Sequence, residues 1–156
     1  MTSRVLVALR VAAPPERVFE AFTAEIGEWW RPHALFRFTD RADGRLAIDP
    51  RPGGRVTERY PDGGEFQVGR IVEWEPPRRV VLTWRADTFP PDVDTSVHVR
   101  FEDVGGATRV VVEHFGWDGL PQDHVARHTF PLFQFELRLA EWWQSNLESL
   151  AQRDLA

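Results

Sequence analysis

The chain has 156 residues and a formal net charge of −5, a size that fits one domain with a sizeable core over residues 1–156. It contains neither cysteine nor lysine, which excludes disulfides, thiolate chemistry, Schiff-base catalysis and a P-loop lysine. The sequence has no basic stripe and no apolar run of ~18 residues, so we expect a cytoplasmic protein that binds neither nucleic acid nor membrane.

The first predicted elements are a strand and two short helices. Apolar residues alternate from Arg4 to Val11, which is typical of a strand with one buried face. Pro14-Pro15 ends this strand and suits the first turn of a helix, which we expect over residues 16–23. A second short helical stretch follows and closes at Arg31-Pro32.

Short β-type runs separated by turn residues occupy the middle of the chain. The separators include Asp43-Gly44, Pro61-Asp62-Gly63-Gly64 and Gly105-Gly106, which are strong turn signals. This rhythm predicts an antiparallel meander of six or seven strands, and a sheet of that size curls. The predicted runs are 36–41, 45–49, 55–59, 65–75, 79–86, 95–102 and 108–115.

The last predicted element is a long helix over residues 130–151. Its apolar positions span roughly 200° of the circumference, against the ~100° of an ordinary surface helix. One row contains Phe130, Phe133, Leu137, Ala140, Leu147 and Leu150, and a second contains Leu132, Phe135, Leu139, Trp142 and Trp143. We therefore predict an α+β helix-grip fold, in which a curved antiparallel sheet wraps around this helix and two short helices follow the first strand.

Three stretches carry a resemblance to a known family: residues 13–23, 69–85 and 105–114. They resemble the opening, the central block and the penultimate strand of the heat-shock-protein-90 ATPase activator-like family (AHSA-type), within the START-like (SRPBCC) superfamily. The resemblance covers nearly the whole chain and implies the helix-grip fold, but it implies little about activity, because one fold hosts many functions. Trp142 departs from the family, which usually has glycine there.

The aromatic content, with seven Trp and eleven Phe, suggests a ligand cavity. Core packing is the better explanation for any one of these aromatic residues. A curled sheet that faces an apolar helix nevertheless predicts a cavity for a small hydrophobic molecule. The expected ligand-binding residues are apolar ones at Trp30, Phe36, Phe38, Trp84, Phe101, Phe133 and Leu137, and polar ones at Glu58, Tyr60 and His114.

His114 is the candidate acid–base residue. A half-buried imidazole beside Val110 and Val112 titrates near neutrality and can move a proton, although a histidine of this kind more often bonds a backbone carbonyl. His124 and His128 are four residues apart, yet nothing like a zinc motif surrounds them. We expect no metal and no cofactor.

Three functions remain open. A hydrophobic-ligand-binding protein is favoured, because no convincing catalytic constellation is present. The alternatives are a cyclase-, dehydratase- or hydrolase-like enzyme that uses His114, and a module associated with a chaperone ATPase, a partner that the resemblance allows without implying it. An exposed edge carrying Trp142 would suit a homodimer or another partner, since a large apolar side chain there needs cover.

Overall fold

The computed structural model describes residues 3–155, which form a seven-stranded antiparallel sheet in the order β1-β7-β6-β5-β4-β3-β2. The predicted meander is confirmed, and the first strand closes it by pairing with the last. The strands are β1 (Arg4–Val11), β2 (Arg45–Ile48), β3 (Arg55–Arg59), β4 (Glu65–Glu75), β5 (Arg79–Trp84), β6 (Thr95–Val104) and β7 (Ala107–Phe115).

The sheet curls into a half-barrel. Register shifts, which bend a strand and increase its twist, occur between β3 and β4 at Val56/Thr57 and between β4 and β5 at Ile71/Glu73. A Cβ on Gly69 would lie 1.8 Å from the carbonyl oxygen of Thr83, so only glycine fits where β4 passes so close to β5.

In the part of the chain that the structure describes, three helices complete the fold: α1 (Pro15–Thr23), α2 (Ile26–Trp29) and α3 (Leu132–Ala151). Two single 3-10 turns, at Trp117–Gly119 and Val125–Arg127, lie between β7 and α3. Together with the curled sheet these helices confirm the predicted α+β helix-grip architecture. Within residues 3–155, no helix combines the length and the apolarity that crossing a bilayer requires.

The orientation of α3 about its own axis differs from the expectation for its first half. Phe135, Leu139, Trp142, Trp143, Leu147 and Leu150 are buried, whereas Phe133 is 74% exposed and Leu137 is 50% exposed. The expectation that Phe133 and Leu137 face the sheet is therefore wrong. One concave sheet cannot cover a 200° arc, and turning the row with the two tryptophans inward buries more apolar area.

The segment between α2 and β2 is a loop, so the predicted strand over residues 36–41 is wrong. Phe36 and Phe38 are buried, as their alternation suggested, but the backbone joins no ladder and makes single contacts such as Asp87 N–H to the Phe38 oxygen at 2.8 Å. Alternation reports which side chains share a face, and a strand also needs a neighbour with which to pair.

Hydrogen bonds fix the start of this loop to α3. The hydroxyl of Ser149 donates to the Trp29 oxygen at 2.7 Å, and the buried amide oxygen of Asn146 accepts from the Arg31 N–H at 2.7 Å. The indole N–H of Trp142 donates to the Arg31 oxygen at 3.1 Å. The start of the loop over residues 30–44 is thereby held against the C-terminal half of α3.

Candidate ligand-binding site

Two adjacent cavities lie beside the loop over residues 30–44. The first, of about 350 Å³, reaches the end of β5 at Trp84 and is called the β5 cavity. The second, of about 270 Å³, reaches Leu46 and is called the β2 cavity. Both are lined by Ala34, Phe36, Arg37, Phe38 and Trp142. Both cavities thus lie beside this loop, and α3 contributes a single residue, Trp142, to their lining.

Aromatic rings fill the space between the curled sheet and α3, called the centre of the grip, and form the wall between the cavities. Trp30 makes edge contacts with Trp84, Trp142 and Trp143 at ring centroid distances of 5.5, 5.0 and 5.2 Å. Phe36 stacks on Trp142 at 5.0 Å with an interplanar angle of 17°. Because Phe36 and Trp142 line both cavities, this stacked pair separates them.

A polar network stands at the rim of the β2 cavity. The Tyr60 hydroxyl donates to the Glu58 carboxylate at 2.7 Å and lies 2.9 Å from the Thr39 hydroxyl. Burial, reinforced by the negative charge of Glu58, raises the pKa of Tyr60 to about 12, so its hydroxyl stays protonated and donates. Arg41 lies 4.1 Å over the Tyr60 ring. Of Glu58 and Tyr60, Glu58 lines the cavity and Tyr60 does not.

His114 on β7 belongs to the core rather than to either cavity. It is 0% exposed, and the indole N–H of Trp143 donates to its Nδ1 at 3.1 Å. Its proton therefore sits on Nε2 and is donated to the Thr95 hydroxyl at 2.8 Å, which in turn donates to the Trp84 oxygen at 2.7 Å. Burial lowers the pKa of His114 to about 3, and the expectation of a half-buried histidine that titrates near neutrality is wrong.

Comparison with known proteins identifies the family. The sequence matches the model described as Activator of Hsp90 ATPase homolog 1-like protein over residues 12–153. The chain belongs to this family. The family and the curled sheet together indicate a ligand-binding or Hsp90-activator-like module. No curated protein matches the sequence.

Solved structures share the fold of this chain at low sequence identity. A protein of Mesorhizobium loti is 19% identical, with a TM-score of 0.65 over 96% of this chain and 95% of that one. An Hsp90 activator from Plasmodium falciparum is 19% identical, with a TM-score of 0.64 over 94% and 92%. The Aha1 dimer from Colwellia psychrerythraea is 17% identical, with a TM-score of 0.65 over 96% and 93%. At such identities the likeness concerns the fold.

The structure of this family member brings half of the expected binding residues to the cavities. The residues that line them are Trp30, Phe36, Phe38, Glu58 and Trp84. Tyr60 lies behind Glu58, and Phe101 packs on Phe19 and Phe22 of α1 at centroid distances of 5.0 and 5.6 Å. His114, Phe133 and Leu137 line neither cavity.

Trp142, Trp117 and two arginines line the cavities but are not among the residues predicted from the sequence. Trp142 is only 5% exposed, so the expected exposed edge at this position is wrong. Trp117 lines the β5 cavity, and its buried indole N–H has no acceptor within residues 3–155. Arg37 and Arg45 line the β2 cavity. The sequence signal that could have identified Arg37 is the alternation around Phe36 and Phe38, since it placed the Arg37 side chain outside the apolar face.

His124 and His128 hold loops together. His124 Nε2 lies 3.0 Å from the Thr88 oxygen, and His128 Nε2 contacts the Leu35 oxygen. The 3-10 turn that they flank does not place them on one helix face, and residues 3–155 contain no group of three or more side chains that could hold a metal ion. His128 and Thr129 adopt left-handed backbone at φ 50° and 62°, a strained bend beside the β5 cavity.

Proposed function

We propose that this protein binds a small, largely apolar molecule in the β5 and β2 cavities, in the cytoplasm. The observation that carries the proposal is a pair of adjoining aromatic-walled cavities of about 350 and 270 Å³, which fall near or within the ~300–1,000 Å³ of known ligand sites. The unpaired indole N–H of Trp117 supports it further, because a ligand acceptor would satisfy a buried donor.

The enzyme alternative loses its candidate group. His114 is neutral, fully bonded and buried, and it lines neither cavity, so it has neither the protonation equilibrium nor the access that a general acid or base needs. Binding without turnover therefore remains the favoured function.

Filling the cavity mouth is expected to abolish binding. Ala34 is exposed and lines both cavities, so Ala34→Trp places a ring in the opening without disturbing the core. Ala24→Trp, at an exposed position that lines neither cavity, is the matched control. We expect compounds found by native mass spectrometry and thermal-shift screening to bind at least ~10-fold more weakly to Ala34→Trp and normally to the control. A broad hydrophobic panel with no binder would rule out the proposal.

A homodimer is proposed on a separate surface. Phe133 and Leu137 are four residues apart on one face of α3, and Leu137 shares shallow grooves with Leu6 and with Phe130. Arg138 and Glu141 flank this apolar patch. A second copy of the chain is the proposed occupant, because a two-fold axis pairs an apolar patch with itself and one of the solved structures with this fold is a dimer. Arg138 and Glu141 pair with each other at 3.4 Å within the chain and form the charged rim of this patch.

Leu137→Glu is expected to convert this dimer to a monomer, since it places a charge in the centre of the apolar patch. Val104→Glu, which alters an exposed apolar residue at the far end of β6, is expected to leave the dimer intact. Sedimentation velocity distinguishes the two species. A wild-type protein that sediments as a monomer at a concentration of about 100 μM contradicts the assignment.

A chaperone-associated role is the second candidate function, and the family match over residues 12–153 favours it. It predicts that the purified protein stimulates ATP hydrolysis by an Hsp90-type ATPase. Stimulation that Ala34→Trp leaves unchanged would place that activity on a surface other than the cavities.

A further inference from the structure

Two arginines without partners line the β2 cavity. Within residues 3–155, the side chains of Arg37 and Arg45 make no hydrogen bond and no ion pair, whereas the neighbouring Arg41 pairs with Asp43 at 2.7 Å and with Asp62 at 2.8 Å. A guanidinium carries five N–H donors in a fixed fork that matches a carboxylate. The cavity therefore presents two free cationic groups beside an aromatic wall.

The backbone is shaped to hold one of these side chains at the cavity. A Cβ on Gly27 would lie 2.6 Å from Arg45 Nε, so glycine at this position of α2 lets the Arg45 side chain cross the helix. Arg37 lies between Phe36 and Phe38, which line both cavities, and it lines both as well. Arg37 is also exposed to solvent, at the place where the two cavities adjoin.

The one carboxylate in this lining is already engaged. Glu58 accepts from the Tyr60 hydroxyl at 2.7 Å and lies within 3.3 Å of the Thr39 hydroxyl, and it forms no ion pair with Arg37 or Arg45. The residues that line the cavity carry three guanidinium groups, of which Arg41 is paired with two aspartates outside the lining, against the one carboxylate of Glu58, in a protein whose overall charge is −5. The local charge favours an anion.

We propose that the β2 cavity binds a monocarboxylic acid with a compact aromatic body, an inference that rests on the proposed function and names its ligand class. The body packs against Trp30, Phe36 and Trp142, and the carboxylate accepts hydrogen bonds from Arg37 and Arg45. A single charge suits the site better than a dianionic phosphate, because Glu58 repels additional negative charge.

A charge series on one aromatic body tests the ligand class. The probes are 1-naphthylacetate, its uncharged amide 1-naphthylacetamide, the cation 2-(1-naphthyl)ethylamine and the dianion 1-naphthyl phosphate, titrated calorimetrically at low and high salt. We expect the acid to bind about tenfold more tightly than the amide, with a difference that shrinks as salt rises.

Variants assign the effect to the arginines. Arg37→Gln and Arg45→Gln are each expected to remove most of the acid's advantage while leaving the affinity for the amide within about twofold. Arg10→Gln, which alters an exposed arginine on the opposite edge strand β1, is expected to change neither.

The outcomes separate this inference from the proposed function. Equal affinities for acid and amide would overturn the acid preference and leave apolar binding intact. Tighter binding of the amine or the phosphate would overturn the assignment of a monocarboxylate. If none of the four probes nor any compound of the hydrophobic panel binds, the proposed function itself fails.

Discussion

Replacing Trp142 with alanine is expected to lower the free energy of unfolding by about 3–5 kcal/mol, the range for a large aromatic removed from a packed core. Trp142 is 5% exposed, stacks on Phe36 at 5.0 Å, and contacts Trp30 and Trp143 edge-on or tilted. Its loss also frees the Arg31 oxygen that accepts its indole N–H at 3.1 Å. Urea denaturation monitored by far-ultraviolet circular dichroism measures the change.

The Trp142→Phe variant separates volume from hydrogen bonding. Phenylalanine keeps a ring beside Phe36 but lacks the donor, so a smaller loss of about 1–2 kcal/mol is expected. Because Trp142 lines both cavities, the alanine variant joins them, and added indole is expected to raise its melting temperature more than that of the wild type. An alanine variant within about 1 kcal/mol of wild type would show that Trp142 does not hold the grip together.

Lowering the pH from 7 to 5 is expected to remove about 2 kcal/mol of unfolding free energy through His114. Burial lowers the folded-state pKa of His114 to about 3, while the unfolded chain has the ordinary value of about 6.5. The unfolded state therefore binds more protons between these values. The contribution of His114 is fully present above pH ~6.5 and is lost progressively as the pH falls toward 3.

A histidine variant isolates this contribution. His114→Gln is expected to be less stable than wild type at pH 7, because Trp143 and Thr95 lose their partner, but its stability is expected to change less between pH 7 and 5. Burial also lowers the pKa of His98, which is only partly buried. His98→Gln is therefore the control that measures how much a less buried histidine contributes to the pH dependence. Denaturation curves of equal pH dependence in wild type and His114→Gln would contradict the assigned burial.

The carboxylates of Glu113 and Glu25 titrate below this pH window. Burial opposes the shift, but Arg100 and Arg4 lower the pKa of Glu113 below its ordinary value, and Arg17 and Arg153 do the same for Glu25. Stability that depends on these two groups is lost only at lower pH. Burial raises the pKa of Glu136, which acts in the opposite direction, but this effect is common to wild type and variant and cancels in their difference.

Most of the architecture was predictable, because alternation and turn residues are local signals. The runs at 55–59 and 65–75 agree with β3 and β4, and the predicted run at 79–86 ends two residues early, at Trp84. The predicted strand over residues 36–41 fails for a nonlocal reason. Its side chains alternate correctly, but no neighbouring strand is available for its backbone.

The candidate site was predictable only in part. Trp30, Phe36 and Trp84 reach the cavities, whereas the inward-facing Phe101 is covered by α1 and is sealed from them. The alternation correctly placed His114 on an apolar face, yet it contained no information on how completely the side chain is buried. Full burial comes from Trp143 and Trp117 packing over the imidazole.

Apart from the segment over residues 36–41, the sequence by itself determined the kinds and order of the elements, the curled antiparallel sheet and the membership of the family, since these depend on periodicity and on turn chemistry within short stretches. Only the tertiary structure decided how α3 is rotated, that Trp142 and Phe36 close the centre of the grip, and that both cavities lie beside the loop over residues 30–44. The apolar arc of α3 is wider than the concave face of the sheet that covers it, so several rotations of the helix about its axis would bury apolar residues. The packing of large aromatic rings from distant segments of the chain determines which rotation is adopted.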